Sequence, residues 1–291
     1  MKDYFGYQEK ICVVTGAASG MGRATAEILV DLGAKVYALD WNEVKIDGIE
    51  KFVQVDLSQK ESIDKAFQEI PNAIDSFFGI AGVSGIKTDF NKTVTIDFLA
   101  NKYICEIYLL NRMKEGAAIA FITSTGGNNW EKDANQKEYM PLIKATSWEE
   151  MKETLEQLEL NELPGPLGYM FAKMAMNYYT AYVQPIFTKK KIRVNAVLPG
   201  STDTGMKEEF SMAAGGDANL LKATGFSGRL AESIEMAQPV VFLNSDMASF
   251  VSGELLIVDY GASIMTKAKL QEDMMGNITF DQIKANFTKK E

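Results

Sequence analysis

Short apolar runs alternate with amphipathic stretches along most of the chain. Strands alternating with helices are typical of a parallel sheet that is covered on both faces. The pattern therefore predicts an α/β fold with a doubly wound parallel sheet in a single domain, residues 1–291. The runs that predict buried strands are KICVVTG, KVYALD, FVQVD, IDSFFGIAG, AAIAFITS, KIRVNAVLPG and ELLIVDYG. The stretches with helical spacing are GRATAEILVDLGA, SQKESIDKAFQEI, TVTIDFLANKYICEIYLLNRM, GPLGYMFAKMAM and ESIEMAQPVVFLNS.

Three regions interrupt this alternation, and none of them has the composition of a linker between domains. A helical insert is predicted at about 126–166, a substrate loop rich in Met, Phe, Gly and Ala at about 201–230, and a C-terminal extension at about 264–291. We expect the insert and the substrate loop to extend over the edge of one sheet.

The insert contains an amphipathic helix. Trp148, Met151, Leu155 and Leu158 recur at helical spacing, and a surface helix must bury such a stripe against something. The stripe predicts packing within the chain or a contact with a second copy rather than a wall of the substrate site. We expect a homo-oligomer, a dimer or tetramer, whose interface involves these side chains or lies beneath them.

Two of the predicted helices carry a start signal. A Ser followed three residues later by Glu is a capping box, which satisfies two free N–H groups of the first turn. Ser58 with Glu61 predicts the start of one helix, and Ser147 with Glu150 predicts the start of the helix in the insert.

A glycine-rich turn, TGAASGMG, joins the first strand to the first helix. In this context Gly16 permits the tight turn, Gly20 lets the backbone approach a pyrophosphate, and Gly22 lets the helix pack closely on the strand. The helix N-terminus, with Ser19 and Met21 in the turn, offers free N–H groups to phosphates. The sequence therefore predicts a Rossmann-type dinucleotide site here.

The second strand ends in an acidic residue. Asp40 lies about 18 residues after Gly22 and can accept hydrogen bonds from the ribose hydroxyls of an adenosine. Its charge would repel a 2′-phosphate, which favours NAD over NADP, although Arg23 gives a weak argument for the phosphate. Trp41 follows and is included among the cofactor-binding candidates.

Two further strand ends border the same edge of the predicted sheet. Asp56 and Leu57 end the third strand, and Ala81 and Gly82 end the fourth, in GIAG. Ligands of open α/β sheets bind beyond the carboxyl ends of the strands. We therefore expect these residues near the adenine and the riboses of a bound cofactor.

Composition and charge narrow the possible functions. The formal net charge is −9, which disfavours nucleic acid and anionic membranes as partners. No apolar run is long enough for a membrane span and no signal peptide is recognisable, so we expect a cytoplasmic protein. There is no histidine and there are two cysteines, Cys12 and Cys105, each in an apolar run. We therefore predict no metal site and no Ser-His-Asp triad.

A tyrosine and a lysine lie four residues apart in the predicted helix GPLGYMFAKMAM. Tyr169 and Lys173 share a helix face. A free phenol has a pKa of about 10, so forming phenolate at pH 7 costs about 4 kcal/mol. A neighbouring ammonium reduces that cost. The pair therefore predicts a proton-transfer group in a protein that has no histidine.

Taken together, these motifs resemble the short-chain dehydrogenase/reductase family. The matching stretches cover most of the chain in the family's order, and the insert and the final third are most similar to the bacterial 3α-hydroxysteroid dehydrogenase and coniferyl alcohol dehydrogenase subgroup. They are TGAASGMG, VDLS, GIAG, ITS, YMFAK, NAVLPGSTDT and GRLAESIEMAQPVVFLNSDMASFVSGELLIVDYG.

The resemblance implies a role for each catalytic candidate. Ser124 would donate a hydrogen bond to the substrate oxygen, Tyr169 would be the acid/base, and Lys173 would also bind the nicotinamide ribose. Asp97 would carry a water that links Lys173 to solvent. The residues implied near the carboxamide and phosphates are Pro199, Gly200, Thr202 and Thr204, and the implied lid residues are Met206, Phe210 and Met212.

Three positions depart from the family's pattern. Ile80 replaces an asparagine after the fourth strand, Asp97 replaces the catalytic asparagine, and Tyr260 replaces a glycine after the last strand. If the family's asparagine acts through its backbone carbonyl, aspartate could substitute for it. If the side chain is needed, activity would suffer.

The combined interpretation is an NAD-dependent oxidoreductase that interconverts a secondary alcohol and a ketone by hydride transfer. The expected substrate is apolar and bears a ring, such as a hydroxysteroid or bile acid. One alternative is a dehydrogenase of aryl or other small alcohols. The other is a dinucleotide-binding regulator without turnover, which the three departures keep open.

Overall fold

A computed structural model describes residues 3–222, 224–271 and 279–288. Its centre is a seven-stranded parallel sheet with the order β3-β2-β1-β4-β5-β6-β9. The order reverses between β1 and β4, which confirms the doubly wound sheet predicted from the alternating pattern. The strands are β1 (Ile11–Thr15), β2 (Lys35–Asp40), β3 (Lys51–Gln54), β4 (Ile74–Gly79), β5 (Met113–Ile122), β6 (Arg193–Pro199) and β9 (Leu255–Val258).

Helices cover both faces of the sheet. A long helical run before β5 consists of three α-helical segments separated by two π-helical segments, Thr95–Leu99 and Ile104–Leu109. The helices up to the end of this run are α1 (Gly20–Asp31), α2 (Lys60–Gln68), α3 (Phe90–Val94), α4 (Ala100–Tyr103) and α5 (Leu110–Arg112). The helices after β5 are α6 (Asp133–Lys144), α7 (Trp148–Gln157), α8 (Gly165–Tyr182), α9 (Gln184–Phe187), α10 (Lys207–Ala214), α11 (Asp217–Lys222), α12 (Ser233–Asn244), α13 (Ala262–Lys267) and α14 (Phe280–Thr288).

Two hydrophobic cores lie on opposite faces of the sheet. One joins the long helical run, α8 and the insert, and the other joins α1 and α12. Thr15 aligns the strand ends at the point where the order reverses, because its Oγ1 accepts from Ile80 N (3.0 Å) and Ala81 N (3.2 Å). The loops after β1 and β4 therefore meet at one crevice.

The insert is a layer of the main core. Trp148, Met151 and Leu155 are buried, and the Trp148 indole meets the Tyr103 ring edge-on with 5.3 Å between centroids. Lys152 also donates to Thr95 Oγ1 at 3.0 Å. The interpretation in which these three side chains contact a second copy is therefore wrong, because they pack within the chain. The oligomeric state stays a prediction.

The substrate loop is closed by a short second sheet, and the C-terminal extension packs on helices of the main fold. Strands β7 (Thr202–Asp203) and β8 (Ala231–Glu232) pair at the two ends of the loop. Phe280 of the extension packs on Phe90 and Phe171, with centroids 6.2 and 5.3 Å away. The part of the extension at 272–278 and 289–291 lies outside the described residues. None of the described helices combines the length and apolar character that crossing a membrane requires.

Candidate active site

The glycine-rich turn between β1 and α1 is closed to larger residues on two sides. A Cβ on Gly16, which has φ +73°, would lie 2.8 Å from Ala81 Cα, and one on Gly22 would lie 2.1 Å from Gly16 O. Gly20 has φ +54° and faces a wider space, in which Thr204 Cβ is 3.6 Å from the position of an added Cβ. Gly16 and Gly22 therefore close the turn, and Gly20 faces a gap.

The N-terminus of α1 is open to an anion. Its N-cap, Ser19, makes no side-chain capping bond within the described residues, and the first turn there has no acidic residue. Met21 packs partly against the core, and its carbonyl accepts from Thr25 Oγ1 at 2.8 Å. Free N–H groups at the positive end of a helix dipole fit a pyrophosphate. The residues present therefore suit the phosphates of a dinucleotide.

Asp40 lies beside this turn at the end of β2. Its Oδ2 accepts from Ala18 N at 3.0 Å and its Oδ1 from Asn42 N at 2.8 Å, so two backbone amides fix the carboxylate. Each oxygen keeps a lone pair for a hydroxyl group. The Trp41 side chain is 62% exposed, which leaves its ring available for stacking.

The ends of β3 and β4 contribute less than expected from the sequence. Asp56 Oδ1 accepts from both the amide and the hydroxyl of Ser58, and Leu57 is buried in the core. Their side chains are therefore engaged locally, which leaves the backbone as the part that can reach a ligand. Gly82 lies against Asp97, since an added Cβ would be 3.1 Å from Asp97 Oδ2.

Ser124, Tyr169 and Lys173 lie together at the carboxyl end of β5. Ser124 Oγ accepts from Gly126 N at 2.9 Å, and it borders the same turn as the Tyr169 ring. A Cβ on Gly126 would lie 3.4 Å from the Tyr169 ring, so a glycine lets this turn pass close to it. Lys173 Nζ is 5.3 Å from the centre of the same ring. The predicted trio is therefore brought into one site.

Asp97 joins the trio from the first π-helical segment. Its Oδ2 is 3.4 Å from Lys173 Nζ, and both side chains are buried. Its Oδ1 accepts from Val83 N at 2.8 Å, and Lys173 Nζ donates to Ile122 O at 3.4 Å.

Burial and charge act in opposite directions on two of these groups. Burial raises the pKa of the Tyr169 phenol, while Lys173 and Ser124 pull it down and Asp97 adds to the rise. Burial also raises the pKa of Asp97, and Lys173 opposes that rise.

The segment after β6 forms the other wall of the crevice. Gly200 N donates to Val258 O at 3.0 Å, Thr202 Oγ1 donates to Gly200 O at 2.9 Å, and Thr125 Oγ1 donates to Pro199 O at 3.1 Å. With Thr204 facing Gly20, these bonds hold the segment across the crevice from the glycine turn.

Helix α10 lies against Tyr169 of the predicted trio. The Phe210 ring meets the Tyr169 ring at 5.4 Å with an angle of 64° between planes, whereas Met212 is 63% exposed. Met206 precedes the helix as its N-cap. The predicted lid residues are therefore divided, with Phe210 at the site and Met212 facing solvent.

A polar contact that the sequence did not indicate ties this lid to the loop after β4. Glu209 on α10 accepts a hydrogen bond from the buried Ser84 hydroxyl and pairs with Lys87 at 2.6 Å. Ser84 and Glu209 are far apart in the sequence and belong to no motif, so no sequence signal could have found them. We call this contact the lid latch.

Comparison with known proteins agrees with this geometry. Residues 10–136 match the family model described as short chain dehydrogenase, and residues 159–263 match one described as Enoyl-(Acyl carrier protein) reductase. Among curated proteins, Coniferyl-alcohol dehydrogenase of a Pseudomonas species (strain HR199) is 30% identical over 258 residues, which cover 87% of this chain and 96% of that protein. The 3alpha-hydroxysteroid dehydrogenase of Mediterraneibacter gnavus is 27% identical and covers 88% and 97% respectively.

A solved structure shares the fold. The 3-alpha-hydroxysteroid dehydrogenase from Pseudomonas sp. B-0831, complexed with NADH, matches with a TM-score of 0.71 and 21% identity over 89% of this chain and 99% of that one. Two family models in tandem and a relative at 30% identity along nearly the whole length agree with one another. The chain therefore belongs to the short-chain dehydrogenase/reductase family, whose members bind a nicotinamide dinucleotide, and it is an oxidoreductase of the alcohol dehydrogenase type.

Proposed function

We propose that the protein interconverts a secondary alcohol and a ketone with NAD(H) as its cofactor. The observation that carries this proposal is the placement of the half-buried Ser124 and Tyr169 and the buried Lys173 in one cluster beside the open N-terminus of α1. A proton-transfer group next to a dinucleotide cradle is what hydride chemistry at a carbinol carbon needs.

When bound, the nicotinamide supplies the hydride acceptor for oxidation or the hydride donor for reduction. Ser124 holds the substrate oxygen within reach of the Tyr169 phenol. Tyr169 takes the hydroxyl proton in oxidation and returns it in reduction. Lys173 stabilises the phenolate and holds a ribose hydroxyl, while Asp97 lies behind Lys173 at 3.4 Å.

The backbone of the crevice positions the cofactor. Gly16, Gly20 and Gly22 let the chain approach the pyrophosphate, with Ser19 and Met21 at the helix start. Asp40 and Trp41 receive the adenosine, and the main chain of Asp56, Leu57, Ala81 and Gly82 borders the adenine and ribose. The residues that close the nicotinamide side are Pro199, Gly200, Thr202 and Thr204.

Asp40 supports NAD rather than NADP. Its carboxylate is fixed by two backbone amides and has room for hydroxyl donors, whereas a 2′-phosphate would bring a second negative charge against it. Arg23, the nearest cation in the motif, instead forms an ion pair with Glu27 at 2.8 Å. Because Arg23 is engaged with Glu27, it gives less support to the binding of a 2′-phosphate.

We further propose a substrate that is apolar and bears a ring. Phe210 lies edge-on over Tyr169. A substrate at the reacting position therefore either displaces the Phe210 ring or packs against it. The relatives named for hydroxysteroids support the hydroxysteroid or bile-acid class. The relative named for coniferyl alcohol favours the second candidate, an aryl alcohol. A regulator without turnover is less well supported, because the catalytic trio is assembled.

The test is a substrate panel read by NADH absorbance. Hydroxysteroids, bile acids, aryl alcohols and small secondary alcohols are assayed with NAD and with NADP, and the matching ketones with the reduced cofactors. Turnover with NAD and a cyclic alcohol supports the proposal. Turnover of small acyclic alcohols alone contradicts the ring requirement, and NADH binding without any turnover supports the regulator.

A further inference from the structure

The cationic group that should favour the Tyr169 phenolate has a carboxylate directly behind it. Asp97 Oδ2 lies 3.4 Å from Lys173 Nζ, and the two side chains are 0% and 5% exposed. Two opposite charges this close together and away from water offset part of each other's field. Asp97 therefore reduces the effect of the Lys173 charge on Tyr169, although Lys173 still acts on the phenol more strongly than Asp97 does.

The rest of the surroundings does not offset the Asp97 charge. The Val83 amide donates to Oδ1, and Oδ2 has no hydrogen-bond partner among the described residues beyond its contact with Lys173. On the neighbouring elements, Lys152 of α7 donates to Thr95 Oγ1, and Lys102 pairs with Glu106 at 2.6 Å. The ionisable groups that face Asp97 within the described chain are thus Lys173 and Tyr169.

We propose that Asp97 is a positioning residue that offsets part of the Lys173 charge, keeps the Tyr169 phenol protonated at neutral pH, and so favours carbonyl reduction there and alcohol oxidation at alkaline pH. The inference rests on the proposed function. In reduction the carbonyl carbon gains a hydride from the cofactor and the oxygen gains the phenol proton, which leaves a phenolate that is reprotonated from solvent. In oxidation the phenolate must exist first, so the step waits for higher pH.

Asp97→Asn tests this role because it removes the charge and keeps the shape. Without the Asp97 carboxylate, the Lys173 charge that acts on the phenol is no longer offset, and the Tyr169 pKa falls by about one unit. At any pH below the pKa, the ionised fraction of Tyr169 then rises about tenfold. The acid limb of kcat/KM for oxidation and the alkaline limb for reduction should both move down by that amount. Asp89→Asn, an exposed N-cap on the same helical run, is the matched control and should move neither limb.

A merely structural Asp97 gives a different result. If Asp97→Asn lowers both plateaus without moving either limb, the inference is overturned while the proposed function stands. If the limbs move in opposite directions, the charge argument also fails. A limb shift in Asp97→Asn with the control unchanged supports it.

A second readout needs no substrate. Ultraviolet titration of tyrosinate is recorded for the protein and for Tyr169→Phe, and again for both in the Asp97→Asn background. Subtracting the Tyr169→Phe curve from the curve of its parent leaves the titration of Tyr169. The midpoint of that titration should be about one pH unit lower in the Asp97→Asn background. Equal midpoints overturn the inference even in a protein that turns over no alcohol, whereas failure of the substrate panel alone bears only on the proposed function.

Discussion

The lid latch should contribute measurably to substrate binding. Glu209→Gln keeps the shape of the side chain but removes the charge that Ser84 and Lys87 contact. A charge-assisted hydrogen bond is about twice as strong as a neutral one, so the Ser84 contact loses about 1 kcal/mol. Lys87 is 80% exposed, so water screens its ion pair with Glu209. The loss of about 1 kcal/mol from the Ser84 contact corresponds to about fivefold in lid closure.

The assay is KM for the best substrate of the panel, with tryptic cleavage within 201–230 as an independent measure of opening. Glu209→Gln should raise KM about fivefold and accelerate cleavage, whereas Lys87→Met should raise KM less than Glu209→Gln does, because Lys87 is exposed to water. Glu208→Gln, exposed on the same helix, is the control. If Glu209→Gln behaves like this control, the latch does not hold the lid and the reasoning is refuted.

The latch also has a pH dependence with a definite sign. Bonds from Lys87 and Ser84 hold the pKa of Glu209 below its ordinary 4.5. The carboxylate therefore stabilises the closed lid fully above pH 4.5, and that stabilisation is lost as the pH falls through the lower pKa of the folded state. Trypsin cleaves too slowly in acid, so the measurement uses a protease that is active below pH 4.5. The rate at which it cleaves the lid should rise as the pH falls below 4.5. A cleavage rate that does not depend on pH would contradict the role of the Glu209 carboxylate.

Two further predictions concern the cofactor and the insert. Because of Asp40, kcat/KM with NAD should be at least about tenfold higher than kcat/KM with NADP. Asp40→Ala should bring the two kcat/KM values closer together. A kcat/KM that is higher with NADP in the unmodified protein would contradict the role of Asp40. Leu155→Ala should lower the free energy of unfolding by about 2–5 kcal/mol in urea titrations, because Leu155 is fully buried, while the exposed control Glu156→Ala should not. A change of mass in light scattering without loss of stability would show instead that Leu155 lies in a subunit interface.

The sheet and the glycine turn could be predicted from sequence because their physics is local. Buried parallel strands need continuous apolar runs, and each of the seven strands coincides with one. Gly16 and Gly22 are required by contacts within one βα turn, which a short motif records. The spacing of Tyr169 and Lys173 similarly follows from one helix face.

Helix starts were predicted less evenly. Ser147 caps α7 as expected, since its hydroxyl accepts from Glu150 N at 3.1 Å. The Glu150 carboxylate accepts from Thr146 N, whereas a capping box would have it accept from Ser147 N. The start at Ser58 is wrong. Ser58 donates to Asp56 instead, and α2 begins at Lys60, because an aspartate two residues earlier competes for the same groups.

Long-range features had no sequence signal. Helix α6 contains Pro141, and a proline normally ends a helix. The sequence therefore predicts one helix in the insert, whereas the structure has two, α6 and α7. The lid latch and the burial of Asp97 against Lys173 depend on how separate segments meet. The sequence flagged Asp97 as a departure but held no information on its distance from Lys173.

Tyr169 is the residue that we propose carries the proton in an alcohol–ketone reaction at this site. Tyr169→Phe removes one oxygen atom, and Tyr182→Phe on the same helix, 40% exposed, is the matched control. We expect Tyr169→Phe to lower kcat by several orders of magnitude while NADH titration shows unchanged affinity, and the control to retain full turnover. Turnover in Tyr169→Phe equal to that of the unmodified protein, with the same substrate and cofactor, would show that Tyr169 does not carry the proton.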